Sequence, residues 1–132
     1  MVAWDLSMDP VWSNLVHGWV WHDGGAYFGV PVSNFLGWHL TVYLIYQSFA
    51  LYLRKNPPAI APQPAAFWLS AVVFYAVCAA GNLLVMAAPG PATITDAAGA
   101  VWTVSGILGA SAIVSIFVMG AFAVLACART WD

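Results

Sequence analysis

Three runs of this sequence, 34–53, 67–88 and 101–126, pass without one Asp, Glu, Lys or Arg. They are 20, 22 and 26 residues long. A helix needs about 20 mostly apolar residues to cross a hydrocarbon core of about 30 Å. The runs do not alternate polar and apolar residues as strands of a membrane barrel do. The expected fold class is therefore all-α integral membrane: three transmembrane helices, with residues 1–33 ahead of them as a separate aromatic-rich segment.

Composition closes the main alternative. The chain of 132 residues is 63% apolar and 6% charged, against about 45–50% and about 25% in soluble domains. Three basic and five acidic side chains cannot cover a water-facing surface. Arg54, Lys55 and Arg129 cannot build a phosphate-neutralising patch either, so nucleic acid is excluded as a main partner. Cys78 and Cys127 lie in apolar runs and form no CxxC or Cys/His cluster, so neither a disulfide scaffold nor a zinc site is expected. No basic leader with a cleavage pattern opens the chain.

The connections fit three spans. The stretch 56–66, NPPAIAPQPAA, holds four prolines and cannot be helix interior. Pro89-Gly90-Pro91 ends the second run, and Thr95 or Asp96 is placed to cap the third helix. Trp68, Trp102 and Trp131 lie near run ends, where indoles favour the membrane interface. With three spans, Arg54, Lys55 and Arg129 fall on one side. Positive residues favour the cytoplasm, so the 54–66 loop and the C-terminus are expected there, in a multi-pass protein of the plasma membrane.

Residues 1–33 are dense in rings: Trp4, Trp12, Trp19, Trp21, Tyr27 and Phe28. Two short β-prone runs flank Asp23-Gly24-Gly25, and Asp-Gly is a hairpin signal. Trp19 and Trp21 would then share a face. The segment is expected to lie at the interface or re-enter it, with residues 1–8 resembling the last turns of a helix.

Asp5 and Asp9 are four apart and share a face if helical. Close carboxylates raise each other's proton affinity, which suits a general acid. Equally, Asp9 could be an N-cap with Pro10 at the first helical position. His22-Asp23 is either an acid/base pair or a polar turn. His17 and His22, five apart, do not suit a metal, and no metal is expected. His39, Tyr43 and Gln47 form a stripe on the first run. It lines a substrate cleft or bonds a neighbouring helix, for example at Asn82. Ser105, Gly106, Gly109, Ala110 and Ala112 form a small-residue face for close helix packing.

The ordered elements Trp4-Asp-Leu-Ser-Met-Asp-Pro10, Trp19-Val-Trp21 and Tyr27-Phe-Gly-Val-Pro-Val-Ser-Asn-Phe-Leu-Gly-Trp38 resemble the membrane-bound carotenoid biosynthesis proteins of the bisanhydrobacterioruberin hydratase and γ-carotene hydratase type. The resemblance covers about the first 40 residues closely, and the three runs agree in general character. It implies a C-terminal portion of a longer polytopic protein. It also implies an activity: addition of water to a terminal isoprenoid double bond of an acyclic carotenoid end, with no cofactor.

Such an alkene is protonated to a tertiary cation, which water then captures. The residues carried over as catalytic are Asp5 and Asp9 for the proton, with Asp23 or His22 to orient water. Trp4, Trp19, Trp21, Tyr27, Phe28, Asn34, Trp38, His39 and Tyr43 are the expected substrate-binding residues. His39 stands where the pattern calls for an apolar residue and is carried as lining only. The expected partners are a carotenoid or other isoprenoid lipid, the membrane, and a second copy or an N-terminal half. The competing expectation is non-enzymatic, a small membrane subunit or a carotenoid-binding structural protein.

Overall fold

The computed structural model describes residues 1–59, 61–87 and 90–130. Pro89, at the expected break after the second run, and Trp131, one of the expected interfacial rings, lie outside the described residues. Helix α1 spans Val2–Val11 and continues as a π-helical turn, Trp12–Val16. Helix α2 spans Val32–Lys55 and α3 spans Ala65–Leu84, the latter tightening into a 3-10 turn at Val85–Ala87. Strands β1 (Thr93–Thr95) and β2 (Val101–Thr103) pair antiparallel, Ile94 opposite Trp102. Helix α4 (Val104–Ile113) passes through a π segment, Val114–Gly120, into α5 (Ala121–Arg129).

Prolines set the helix borders. Pro31 and Pro64, both extended, stand at the N-caps of α2 and α3. Helix α2 stops at Asn56, because a residue before proline is driven out of the α region. Arg54 and Lys55 fill its last turn and Arg129 that of α5, where cations complement the helix dipole.

Among the described residues, two helices are long and apolar enough to cross a membrane: Ala65–Ala87, with mean hydropathy 2.0, and Val104–Arg129, with 2.4. Helix α2 covers the first expected span but is more polar, through His39, Thr41, Tyr43 and Gln47. Only its N-terminal end is packed, with Phe35 buried, while Leu36, Leu40, Leu44, Ile45 and Phe49 are exposed.

Helix α1 is held against the other helices. It packs on α4, on the π segment that follows it, and on α3. Buried Ser7 donates to the Trp4 carbonyl and leans on the Met119 sulfur at 3.7 Å. Asn82 donates to the hydroxyls of Ser7 at 2.8 Å and Ser115 at 3.2 Å. The π segment thus presents Ser115 and Met119 inward, beside the fully buried Ile107. Asn82 therefore joins α1, α3 and the π segment, and does not bond His39, Tyr43 or Gln47 as one expectation had it.

Two further expectations are corrected. Asp23-Gly24 forms a turn, with the Gly24 N–H donating to the Trp21 carbonyl, but no strand flanks it. The tight reversal lies at Tyr27–Val30, which exchange both backbone bonds across Phe28 (φ 50°) and Gly29 (φ 80°). Positive φ at both central residues is the type I′ signature. The long helix starts at Val104, not Val101, and its cap is Thr103, whose hydroxyl accepts the Gly106 N–H. Asp96 closes the β1–β2 turn instead, accepting the Ala98 and Ala100 N–H groups and the Trp102 indole.

Candidate active site

Asp9 and Pro10 lie inside a helix that runs on to Val16, so Asp9 is not an N-cap. Pro10 has no N–H, which removes the hydrogen bond that the Leu6 carbonyl would receive within an α-helix. The Tyr27 hydroxyl donates to that carbonyl at 3.0 Å. One turn on, Ser13 donates to the Asp9 carbonyl, and Asn14 to the carbonyls of Pro10 and Phe28. These side chains satisfy a helix end that proline and the π turn leave irregular. They also fix the 27–30 reversal against α1, and that reversal feeds directly into Pro31 and α2.

The outcome is that Asn34, in the first turn of α2, faces the carboxylates of α1. Its Nδ2 donates to Asp5 Oδ2 at 2.9 Å and to Asp9 Oδ2 at 2.6 Å. Asp9 Oδ1 accepts the Trp19 indole N–H at 2.6 Å. The Trp21 indole N–H also faces Asp9, yet it is buried and unpartnered among the described residues. Asp5 is 5% exposed and Asp9 1%.

Burial, with the charge of Asp9 beside it, pushes the Asp5 carboxyl up to about 6, against the pull of the Asn34 bond and the amino terminus. Burial raises Asp9 as well, opposed by the indoles of Trp19 and Trp21. No lysine or arginine is among the groups acting on either carboxyl.

The pair opens on a cavity of about 400 Å³ lined by Met1, Trp4, Asp5, Met8, Asp9, Trp19, Val20, Trp21, Asn34 and Trp38. Asn34 and Trp38 share a face of α2 by their spacing of four. The Trp4 indole donates to the Met8 sulfur at 3.0 Å, and Trp19 stacks on Trp12. A smaller recess of about 220 Å³ lies against the same Val20 and Trp21, lined by Ser13, Asn14, His17, Thr95 and Asp96.

Of the residues singled out from sequence, Asp5, Asp9, Trp4, Trp19, Trp21, Asn34 and Trp38 come together here. His22 and Asp23 do not: both are exposed on the 21–24 turn and do not line the cavity. Tyr27 and Phe28 support the site from outside, Tyr27 packing on Phe35 and Phe28 on Trp102. His39 and Tyr43 line a separate groove with Val42, Tyr46, Tyr75 and Phe122. Sequence reasoning missed Met8 and Val20 as lining residues. It also missed Ser13 and Asn14, whose polarity after Pro10 is a signal of helix-end repair. Among the described residues, no group of three His, Cys, Asp or Glu side chains stands close enough to hold a metal.

The arrangement can hold a proton near neutrality inside an apolar, indole-walled space. A family model described as carotenoid biosynthesis protein matches residues 1–102. No curated protein and no solved structure matches the chain.

Proposed function

The chain belongs to the carotenoid biosynthesis protein family, and from that premise we propose that it carries the acid site of a carotenoid hydratase. The observation that carries this reading is the buried Asp5/Asp9 pair, bridged by Asn34 and opening on a cavity walled by four tryptophans. An isoprenoid end enters the cavity. A carboxyl proton moves to the terminal double bond, leaving a tertiary carbocation and a carboxylate. Water adds through its oxygen and returns a proton to the carboxylate pair, so the net change is addition of one water. An indole face stabilises a desolvated cation by about 2 kcal/mol. The polar recess behind Val20 and Trp21 supports a nearby source of water.

The protein is proposed to act within the plasma membrane, with α2 as a third span beside the two apolar helices. The basic ends of α2 and α5 then face the cytoplasm. The exposed His39, Tyr43 and Gln47 on α2 support contact with a second copy or with an N-terminal half.

Expression in a lycopene-producing host, followed by analysis of hydroxylated carotenoid, tests the activity. The double variant Asp5→Asn/Asp9→Asn is expected to lower product formation by about 10²–10⁴, the usual contribution of a general acid. Unchanged hydration in that variant would remove the carboxyl pair from the chemistry.

A further inference from the structure

The two carboxyl groups of the site are not equivalent, and hydrogen bonding distinguishes them. Both Asp9 oxygens accept from groups that can only donate, Oδ1 from the Trp19 indole and Oδ2 from the Asn34 amide. A proton on either oxygen would weaken the bond accepted there, since both bonds favour the charged form. Asp5 accepts at Oδ2 only, from the same Asn34 nitrogen. Among the described residues its Oδ1 has no donor, and it is not sealed off, since Trp21 Nε1 is the one fully buried side-chain nitrogen or oxygen there without a partner. Asp5 also lines the cavity.

Asn34 has two amide hydrogens, and both are engaged. The reverse orientation would place its oxygen against two carboxylates, which requires protons on both. The amide therefore favours at least one ionised partner. The doubly bonded Asp9 is the partner better placed to stay so.

We propose that the pair is asymmetric by construction: Asp5 holds the transferable proton on Oδ1, Asp9 stays ionised, and Asn34 is the positioning residue that maintains the difference. The assignment rests on the hydratase reading for the proton's destination, not for its location. In the reaction, Asp5 Oδ1 gives its proton to the alkene carbon and becomes a carboxylate. The ionised Asp9 stabilises the cation across the cavity. The proton released by the captured water reprotonates Asp5.

Few other charges complicate the titration. On the same side, Asp5 faces Asp9 and the Met1 amino group. Helix α2 contributes Asn34, and the 17–31 segment contributes Trp19 and Trp21. Helix α3 and the π segment meet α1 through Ser7, with the uncharged Asn82, Ser115 and Met119.

The test is an infrared titration of membranes containing the full chain, following the protonated carboxyl band from alkaline to acid pH. The first band to appear should vanish in Asp5→Asn. It should persist in Asp9→Asn but shift to lower pH, because the neighbouring charge is gone. Asn34→Leu, of similar size but with no donor, should move both carboxyl titrations to higher pH. A band that persists unmoved in Asp5→Asn and vanishes in Asp9→Asn overturns the assignment. So does an Asn34→Leu variant with both titrations unmoved.

Carotenoid analysis in the lycopene host separates this result from the activity. Asp5→Asn should lose about 10²–10⁴ of hydration at every pH, while Asp9→Asn recovers at acid pH only the part of its loss that comes from deprotonation of Asp5. A chain with the expected bands and no hydrated product would refute the hydratase reading and leave the proton assignment standing. Reversed bands with normal hydration would do the opposite.

Discussion

Asp9 and Asp96 each accept an indole N–H at nearly the same distance, Asp9 from Trp19 at 2.6 Å and Asp96 from Trp102 at 2.7 Å. Their proton affinities nevertheless move in opposite directions. Asp96 closes the β1–β2 turn, half-exposed, and its carboxyl lies below the ordinary range. The Trp102 bond is the main cause, and the Ala100, Ala98 and Gly99 backbone groups add to it. Asp9 is buried between α1 and α2, and desolvation raises it despite the same kind of bond. A donated hydrogen bond favours the charged form, but loss of water can outweigh it. One pairing chemistry thus accompanies a lowered proton affinity at an open turn and a raised one in a buried site.

The difference predicts unequal costs when the indole donor is removed. Trp19→Phe removes the 2.6 Å donor from the buried Asp9 Oδ1, and should destabilise the fold by about 1–3 kcal/mol. Trp102→Phe removes one donor from a half-exposed carboxylate that keeps the Ala98 and Ala100 N–H bonds, and should cost about 0.5–1.5 kcal/mol. Both changes delete similar ring area, so the difference is the informative quantity. Thermal unfolding in mild detergent measures it. Equal losses would break the contrast between the two aspartates.

The pH dependence of stability should carry opposite signs in the two regions. Asp5, partner of Asp9, has a carboxyl raised from the ordinary 3.8 to about 6. The fold binds that proton more tightly than the unfolded chain does. Its contribution is complete below about 3.8 and is lost as pH rises through about 6. Asp96 is lowered from 3.8, so its contribution is present above that value and lost as pH falls through the lowered one. Asp5→Asn should therefore flatten the melting profile between about pH 4 and 6, and Asp96→Asn should flatten it on the acid side. Melting curves across this range check both. Matching slopes in the two variants would contradict the proposed role of burial.

What was legible in the sequence is what depends on near neighbours. The charge-free runs mark α3 and the 104–129 helix, and the spacing of four puts Asp5 and Asp9 on one face. Asn34 was legible only as a candidate. Its bridging role depends on contacts 29 and 25 residues away, set by a reversal at Phe28-Gly29. Asp23-Gly24 carries the stronger hairpin signal, yet no strands form beside it, because Trp19 and Trp21 are drawn to the α1 cavity instead. Asp9-Pro10 has the pattern of a helix start. That pattern is overridden where Tyr27, Ser13 and Asn14 satisfy the carbonyls that proline and the π turn disturb.

The smallest expected effect lies at the far end of the Asp96 hairpin, where Thr103 caps α4 through the Gly106 N–H at 3.3 Å. Thr103→Ala should cost about 0.5–2 kcal/mol, the usual loss of a capping oxygen, and should leave the Asp5 titration unchanged. Gly106 makes the cap testable a second way. A Cβ there would stand 2.8 Å from the Thr103 hydroxyl, so Gly106→Ala must push the cap aside. Alanine in a helix is favoured over glycine by about 1 kcal/mol. With Thr103 present, that gain and the lost cap should nearly cancel. In the Thr103→Ala background no hydroxyl remains to displace, so the same substitution should be stabilising by about the full propensity difference. A double-mutant cycle in thermal unfolding reads this coupling directly. Strict additivity of the two substitutions would show that Thr103 contributes no cap, and would remove the hairpin as the element that starts the long helix.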